Sequence, residues 1–323
     1  MSGSEVRIGD KVVRNDGNVF ITAEIGINHN GFLHIAKSMI DLAIRTGCDA
    51  VKFQKRTVPV VYSEKDLAKP RQVNKEVLRN AVRRGVLSPE AVKRLESSDF
   101  DDSTNGDLKW ALEFSEDEYA DIDRYCRERG ILWFASPWDE GSVDFLERFE
   151  VPCHKVASAS LTDDGLLKHI CGKGKPVILS TGMSDMEMIR HAVEVLGTED
   201  LVLLHCTSVY PDSLNAGEKL LSMINLDCIN TLRNEFPGVP VGFSSHDSGI
   251  MPSYAAAAMG VCMIEKHITI ERSMWGTDQP GSIEPHELTN LCRMVKELQI
   301  ARGDGRKIIY EEEREVIKKL RRK

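Results

Sequence analysis

The sequence predicts a parallel (β/α)8 barrel, and three observations carry that prediction. Short apolar strands alternate with amphipathic helical stretches along most of the 323 residues. Glycine follows several helical stretches at the position where a left-handed C-cap is expected. The apolar strands all finish in polar or charged residues, as expected where functional groups gather at the C-terminal face of such a barrel. A doubly wound open sheet is the alternative, but no Gly-x-Gly-x-x-Gly follows the first strand.

The elements are predicted in chain order from these patterns. Strands are predicted near residues 19–25, 50–54, 131–135, 153–157, 176–181, 201–206, 240–245 and 261–267. The helical patterns between them include Leu33–Thr46, Ser115–Arg129, Asp185–Leu196 and Pro252–Met259, and Gly47, Gly130, Gly197 and Gly260 stand at their ends.

The chain is predicted to divide into three regions. Residues 1–18 form an N-terminal extension, in which residues 5–14 make a hairpin with Gly9-Asp10 as its turn. Residues 19–303 form the barrel domain, and residues 304–323 form a charged C-terminal tail. Residues 56–113 are too long for a βα loop and are interpreted as an insertion with one helix near 74–84, lying over the barrel mouth. A partly disordered surface insertion is the alternative.

Composition excludes several classes of protein. The net charge of −8 argues against a nucleic-acid partner, because a phosphate backbone demands a basic surface. The eight cysteines form no Cys-x-x-Cys pair, which is typical of reduced thiols. The chain opens without a signal peptide, and no apolar run is long enough to span a bilayer. We therefore expect a cytoplasmic protein that binds neither nucleic acid nor membrane.

Two histidines end the last two predicted strands. Side chains alternate along a strand, so Glu265 and His267 share a face, and His246 ends the preceding strand in the same way. If these strands are parallel neighbours, His246 and His267 can hold one divalent metal, with positions open to water or substrate. His205, at the sixth strand end, is either a third ligand or a hydrogen-bonded structural residue. Lys266 is expected to point outward.

Other strand ends carry candidates for anion binding and for proton transfer. Lys52 can point into the barrel, and a salt bridge to Glu24 is its structural alternative. Lysine with hydroxyls at strand ends suits a phosphate or carboxylate, and Lys155 is accompanied by Ser158, Ser160, Ser180 and Thr181.

Two acids complete the candidates. Glu24 ends the first strand, which closes against the eighth, so a role as general acid or base beside the metal is expected. Asp278 lies in a turn-rich loop after the eighth strand and is either a turn residue or a functional acid.

These strand ends resemble those of the sialic acid synthase family, whose members condense phosphoenolpyruvate with an N-acylated sugar. The resemblance runs in order over roughly residues 19–300, and its first and fourth stretches are specific to the family. The matching stretches are Ala23-Glu24-Ile25-Gly26-Ile27-Asn28-His29-Asn30-Gly31, Val51-Lys52-Phe53-Gln54, Leu179-Ser180-Thr181-Gly182-Met183, His205-Cys206-Thr207-Ser208-Val209-Tyr210-Pro211 and Glu265-Lys266-His267.

The resemblance implies a (β/α)8 barrel with a divalent metal on His246 and His267, Mn²⁺ before Mg²⁺, Co²⁺ or Zn²⁺. It implies that the catalytic residues are Glu24, Asp278 and Glu265, and that the sugar is contacted by Tyr210, Gln54 and Asp278. It also implies that phosphoenolpyruvate is bound by Lys52, Ser136, Lys155, Ser158, Ser180, Ser208 and Ser244.

Some positions differ from the family pattern. Lys155-Val156-Ala157-Ser158-Ala159-Ser160 stands where Lys-Ile-Gly-Ser-Gly-Glu is usual, Ser136-Pro137-Trp138 where Thr-Pro-Phe is usual, and Ser245 where aspartate is common. Family members carry a small C-terminal antifreeze-like domain, which would begin where this chain ends at Lys323. The chain is therefore expected to be a branch or a truncated form without that domain. A homodimer is expected, because barrels often pair.

The predicted activity is the metal-dependent condensation of phosphoenolpyruvate with an open-chain aldose and water. The aldose is expected to be an N-acylated hexosamine or a related sugar, with or without a phosphate. The products are a 3-deoxy-2-ulosonic acid of the sialic acid type and phosphate. The alternatives are an octulosonate or heptulosonate type synthase, whose expected cysteine ligand has no matching place here, a metal-dependent sugar isomerase or aldolase, and a sugar-binding protein without activity.

Overall fold

The computed structural model describes residues 5–209 and 217–322 and has the predicted barrel architecture. A two-stranded antiparallel sheet, β1 (Val6–Ile8) and β2 (Lys11–Val13), precedes it. The barrel strands are β3 (Phe20–Gly26), β4 (Ala50–Lys55), β5 (Leu132–Pro137), β6 (His154–Val156), β7 (Val177–Ser180), β8 (Leu201–Cys206), β9 (Val241–Ser245) and β10 (Met263–His267).

Helices surround these strands, and most fall between consecutive strands of the barrel. They are α1 (Leu33–Thr46), α2 (Val58–Val61), α3 (Glu64–Leu67), α4 (Lys75–Arg84), α5 (Pro89–Ser97), α6 (Asn105–Leu112), α7 (Glu116–Arg129), α8 (Glu140–Glu147), α9 (Asp164–Cys171), α10 (Met186–Leu196), α11 (Gly217–Ile224), α12 (Cys228–Glu235), α13 (Met251–Ala258), α14 (Pro285–Arg302) and α15 (Glu311–Leu320). Short 3-10 turns cover Ser158–Ser160 and Gln279–Gly281.

The eight barrel strands form one parallel sheet in the order β5-β4-β3-β10-β9-β8-β7-β6. The first and last strands of this order, β5 and β6, also lie side by side, so the sheet curls into a nearly closed barrel. Consecutive strands are joined through helices on the outside, as parallel pairing requires. The carboxyl ends of all eight strands therefore meet at one face.

Glycine ends two of the predicted helices in the expected way. Gly47 after α1 and Gly130 after α7 both adopt the left-handed conformation, with φ of 83° and 71°. The expectation is wrong for Gly197 after α10, whose ψ of 172° turns the chain away in an extended conformation. A positive φ is thus readable from glycine at a helix end, whereas the value of ψ depends on the following loop.

The N-terminal hairpin packs on the barrel. Val6 and Val13 face each other across its two strands, and both belong to the hydrophobic core that fills the barrel and its helical layer. At the other end of the chain, α15 has no buried residue. All eight cysteines are free thiols, and none of the described helices combines the length and apolarity needed to cross a membrane.

The insertion between β4 and α7 is a folded unit. The predicted helix near 74–84 is α4, but α2, α3, α5 and α6 were not predicted, and the alternative of partial disorder is wrong for this ordered segment. The insertion has its own small core, built around Leu78, Leu95 and Leu108. Ile27 and Trp275 from the loops after β3 and β10 pack against this core, which places the insertion at the carboxyl face of the barrel.

Candidate active site

A cavity of about 270 Å³ opens where the carboxyl ends of the barrel strands meet. Most of the side chains predicted from the sequence line it, whereas Ser244 and Asp278 do not, and Tyr210 lies outside the described residues. The predicted residues that line it are Glu24, Lys52, Gln54, Ser136, Lys155, Ser158, Ser180, Ser208, His246, Glu265 and His267.

Strand register brings three of these side chains to the same level. His267 pairs with Glu24 across β10 and β3, and Glu24 pairs with Lys52 across β3 and β4. Gly26 follows with φ of 54°, and a Cβ atom there would lie 3.0 Å from Glu24 Oε1 and 3.3 Å from His267 Cε1. A side chain at Gly26 would thus fill the space between Glu24 and His267.

Lys52 is the centre of a buried charge network. Its Nζ lies 3.1 Å from Glu24 Oε2 and 3.2 Å from Glu265 Oε1, and it donates to Ser136 Oγ at 3.2 Å. The salt bridge to Glu24, the structural alternative for Lys52, therefore exists, and both of its residues also line the cavity. Burial of all three charged groups makes each protonation state depend on its partners.

The two carboxyl groups of this network have pKa values shifted in opposite directions. Burial raises the pKa of Glu24 to about 7, with Glu265 adding to the rise and Lys52 opposing it. Burial also acts to raise the pKa of Glu265, but Lys155 and Lys52 outweigh it and hold that pKa below its usual value. Near neutral pH, Glu265 is therefore a fixed negative charge, while Glu24 can gain or lose a proton. Two carboxyl groups with separated pKa values are typical of acid–base sites.

Lys155 also lines the cavity, among hydroxyl groups. Its Nζ donates to Ser180 Oγ at 2.6 Å and to the carbonyl oxygen of Val156 at 3.0 Å. Burial lowers its pKa to about 8, although Glu265, whose Oε1 is 3.9 Å away, opposes that fall. A buried ammonium with adjacent hydroxyls is suited to bind an oxyanion.

A glycine keeps this anion cradle open. Gly182 N donates to Ser158 Oγ at 3.0 Å, and a Cβ at Gly182 would lie 2.1 Å from Ser208 Oγ. Any larger residue would therefore displace Ser158, in the turn after β6, and Ser208, which follows β8, and both line the cavity.

The imidazoles of His246 and His267 face each other in the same cavity. Their ring centres are 5.3 Å apart with an angle of 40° between the ring planes. Burial, followed by the proximity of His246, lowers the pKa of His267 well below its usual value, so its imidazole stays neutral. Neutral imidazole is the form that binds a divalent metal.

The structure resolves the alternatives for His205. Its Nε2 is hydrogen-bonded to the carbonyl oxygen of Ile224 at 2.7 Å, so it serves as a structural residue of the strand end. The neighbouring Cys206 lines the cavity instead, with its Sγ 3.9 Å from His246 Nδ1. Sequence reasoning missed Cys206, although strand alternation places it on the face opposite to His205.

Ser244 does not line the cavity itself. It pairs with Glu265 across β9 and β10, and its Oγ donates to Glu265 Oε1 at 3.3 Å. The hydroxyl therefore orients Glu265, and contact of Ser244 with phosphoenolpyruvate stays a prediction. The prediction that Lys266 points away from the barrel interior is correct, and its Nζ donates to Asp247 Oδ1 at 2.8 Å and Ser245 Oγ at 3.0 Å.

The rim of the cavity contains residues that sequence reasoning did not identify. Trp138 lines the cavity, and the guanidinium carbon of Arg56 lies 5.0 Å from the centre of its ring. Arg56 Nη2 donates to Gln54 Oε1, and Gln54 Nε2 donates to Glu24 Oε1 at 3.2 Å. Asp278 is buried in the loop after β10, where it accepts a hydrogen bond from Thr277 Oγ1 at 2.8 Å.

A second group of ligand-type side chains lies outside the cavity, at the start of α14. Glu284, His286 and Glu287 come together there, in the described part of the chain. Glu287 accepts from the backbone N–H of Glu284 and from Arg272, and the two glutamates form the capping box of the helix. Helix capping thus accounts for this cluster.

Comparisons with known proteins agree on one family. A family model described as the NeuB family matches residues 86–307. The chain is 34% identical over 290 residues to the N-acetylneuraminate-9-phosphate synthase of Homo sapiens, covering 89% of this chain and 72% of that protein. It is also 34% identical over 295 residues to the N,N'-diacetyllegionaminic acid synthase of Legionella pneumophila, covering 89% of this chain and 74% of that one.

Solved structures give the same result. A crystal structure of the sialic acid synthetase of Leptospira borgpetersenii in complex with citrate superposes with a TM-score of 0.75 and 29% identity, covering 99% of both chains. A truncated 3-deoxy-D-arabino-heptulosonate 7-phosphate synthase of Thermotoga maritima superposes with a TM-score of 0.62 at 12% identity, which is a likeness of fold alone.

Proposed function

We propose that this chain, which belongs to the NeuB family of phosphoenolpyruvate-dependent synthases, joins phosphoenolpyruvate to an open-chain N-acylated hexosamine or a related aldose. The products are a 3-deoxy-2-ulosonic acid of the sialic acid type and phosphate. The observation that carries the proposal is the cavity that contains two lysines, two carboxylates of separated pKa and two facing imidazoles.

Phosphoenolpyruvate is assigned to the part of the cavity between Lys52 and Lys155. The ammonium groups of Lys52 and Lys155 lie 3.2 Å and 3.9 Å from the same atom, Glu265 Oε1, so the two cations are close to each other. The two anionic groups of the substrate then meet two cations and the hydroxyls of Ser136, Ser158, Ser180 and Ser208. This binding aligns the methylene carbon of phosphoenolpyruvate with the aldehyde.

The donor set fits a divalent metal held by His246 and His267. Two imidazoles, of which that of His267 is neutral, with a carboxylate nearby suit Mn²⁺, which we propose before Mg²⁺, Co²⁺ or Zn²⁺. When bound, the ion supplies Lewis-acid polarisation of the aldehyde oxygen. The protein residues around it orient both substrates and leave room for them, since Gly26 has no side chain.

Glu24 is assigned the proton transfer that follows carbon–carbon bond formation. The methylene carbon attacks the aldehyde, and positive charge develops at the former enol carbon. Glu24, as carboxylate, removes a proton from the water that adds there, and the tetrahedral adduct loses phosphate to give the ketone. Glu265 stabilises the developing positive charge. The buried Asp278 is assigned a contact with the sugar.

The oligomeric state, the cellular location and the sugar contacts are proposed as well. A homodimer and a cytoplasmic location are proposed, the latter because eight scattered cysteines are all free thiols. The proposed sugar contacts are Gln54, which lines the cavity, the buried Asp278, and Tyr210, which lies outside the described residues.

A coupled assay tests the proposed function. Phosphate release from phosphoenolpyruvate is measured with and without Mn²⁺ against a panel of N-acylated and plain aldoses and their phosphates. We expect release that needs both the metal and one aldose. Metal-dependent conversion of an aldose without consumption of phosphoenolpyruvate would instead support the isomerase or aldolase alternative.

The low pKa of Lys155 predicts a pH dependence of substrate capture. Lys155 loses its charge above about pH 8, because burial lowers its pKa to that value. We expect kcat/KM for phosphoenolpyruvate to fall about tenfold per pH unit above this point. The Lys155→Arg variant should lack this fall, whereas Lys52→Arg should keep it, since Glu24 and Glu265 hold the pKa of Lys52 above its usual value against the effect of burial. If kcat/KM of Lys155→Arg still falls above about pH 8, the group that titrates there is not Lys155.

A further inference from the structure

We infer that the buried ion pair between Lys266 and Asp247 positions the two proposed metal ligands, His246 and His267, relative to each other. The inference rests on the proposed function, because it concerns the metal site of that reaction. Neither Lys266 nor Asp247 lines the cavity, so neither is a candidate for contact with the substrates. The two residues act only through the histidines beside them.

The chain order puts each member of this ion pair next to one of the histidines. Lys266 directly precedes His267 on β10, and Asp247 directly follows His246 just after the end of β9. Side chains alternate along a strand, so Lys266 points to the side of the sheet opposite to His267. The ion pair and the two imidazoles therefore lie on opposite sides of the same strand ends.

The pairing of β9 with β10 ends before it reaches His246. The last residues paired between these two strands are Ser245 and Lys266. His267 pairs with Glu24 on the other side of β10, so strand pairing does not join it to His246. The position of His246 relative to His267 therefore depends on contacts outside the strand ladder.

The ammonium group of Lys266 supplies such a contact. Its Nζ donates to Ser245 Oγ at 3.0 Å, to Asp247 Oδ1 at 2.8 Å and to the backbone carbonyl oxygen of Asp247. An ammonium has three N–H donors, so these three bonds use its whole donor capacity. The acceptors belong to the residues immediately before and after His246. A side chain of β10 thus restrains the backbone on both sides of His246.

Burial makes this restraint difficult to break. The side chain of Lys266 is fully buried, and that of Asp247 is 6% exposed. Because water does not reach the ammonium, separating the two groups would leave a buried charge without its partner, which is strongly unfavourable. Charge-assisted hydrogen bonds are also stronger than neutral ones. We therefore expect Lys266 and Asp247 to stay paired whether or not a metal is bound.

The ring of His246 is held at a second point. Its Nδ1 donates to the carbonyl oxygen of Thr207 at 3.2 Å, so Nε2 is the nitrogen that can act as a metal ligand. The carbonyl of Thr207 therefore sets how the ring is turned, and the Lys266 ammonium sets where the backbone of His246 lies. Both restraints contribute to the arrangement in which the two imidazole ring centres are 5.3 Å apart.

The test measures Mn²⁺ binding by electron paramagnetic resonance in the wild-type protein and in variants of this contact. Asp247→Asn keeps the shape of the side chain and removes its charge, and we expect its Kd for Mn²⁺ to be about 10- to 100-fold weaker. Ser245→Asp combined with Asp247→Asn moves the carboxylate to position 245, whose side chain already lies 3.0 Å from Lys266 Nζ. This double variant should return Kd to within about threefold of the wild type.

Asp107→Asn is the matched control for a loss of stability. Asp107 is also an ion-paired aspartate whose side chain is only 5% exposed, but its partner is Arg94 and it belongs to the capping box of α6 in the insertion. The same change there should lower Tm and leave Kd for Mn²⁺ within about threefold of the wild type. Circular dichroism establishes that each variant is folded at the temperature of the titration.

A milder variant covers the case in which Asp247→Asn does not fold. Ser245→Ala removes one of the three acceptors of Lys266 and leaves the ion pair intact. We expect it to weaken Kd for Mn²⁺ about three- to tenfold. A Kd equal to that of the wild type would then count against the inference.

Three results would overturn the inference: a wild-type Kd in Asp247→Asn, an equal weakening in Asp107→Asn, or no recovery when the carboxylate is moved to position 245. If the wild-type protein binds no Mn²⁺, the proposed metal site loses its support, and nuclear magnetic resonance of ¹⁵N-labelled histidine rings judges the inference alone. Ring signals of His246 and His267 that change in Asp247→Asn and not in Asp107→Asn support it. Identical ring signals in all three proteins reject it.

Discussion

The His267→Ala variant is expected to bind Mn²⁺ more than about 100-fold more weakly than the wild-type protein, and to lose about 1,000-fold in kcat. The reason is the geometry of the two imidazoles, whose ring centres are 5.3 Å apart in the cavity. The pKa of His267 is held low by burial, so at this side chain no proton competes with a metal near neutral pH. In the proposed metal site, removing one of the two imidazole ligands would leave His246 to hold the ion with water and substrate oxygens.

Metal content after dialysis and Mn²⁺ binding followed by electron paramagnetic resonance measure this loss without recourse to turnover. His286→Ala is the control, because His286 belongs to the exposed group at the start of α14 that also brings two glutamates together. We expect His286→Ala to retain both metal and activity. Full metal content in His267→Ala, or its loss in His286→Ala, would move the metal site out of the barrel.

The barrel could be predicted from the sequence because its signals are local. The apolar strands and the helical stretches between them recur in a regular order, and the strand bounds fall within two residues of the expected ones. The two strands that carry His246 and His267 are hydrogen-bonded parallel neighbours, as their place in the chain order predicted. Chain order and strand direction together place these side chains at the same end of the sheet.

The sequence predicts which strand face each side chain of the candidate site occupies, but not which side chains reach the cavity. Alternation along β9 correctly places Ser244 and His246 on one face, and it directs Lys266 away from the barrel interior. It does not tell how far along the barrel axis each side chain lies. Two residues along a strand correspond to roughly 6–7 Å, and Ser244, two residues before His246, is level with Glu265, donates to its carboxylate and does not line the cavity.

The insertion was the least predictable part because its order depends on tertiary contacts. Helices α2 and α3 have four residues each, too few for a helical period to be recognised. Capping signals were present in the sequence, in Ser88-Pro89 before α5 and in Thr104 with Asp107 at α6. The position of Arg56 against Trp138 at the cavity follows only from tertiary packing.

The Glu24→Gln variant is expected to lower kcat between about 100- and 10,000-fold while leaving the fold intact. Glutamine has the same shape and keeps the hydrogen bond with Gln54 available, and Lys52 retains Glu265 as its charged partner. The loss is therefore a loss of proton transfer. Glu118→Gln serves as control, because it neutralises a part-buried glutamate that pairs with Arg84 outside the cavity, and it should keep kcat within about threefold of the wild type.

The pH profile decides which way Glu24 moves its proton. Burial raises its pKa to about 7, so it is protonated below that pH and ionised above it. If Glu24 removes a proton from the attacking water, kcat of the wild-type protein rises with pH up to about 7, and Glu24→Gln lacks this rise. A wild-type kcat that falls through the same pH range would make Glu24 the acid instead. A Glu24→Gln protein that keeps both its rate and its acid limb would transfer the role to Asp278, for which Asp278→Asn is the matching test.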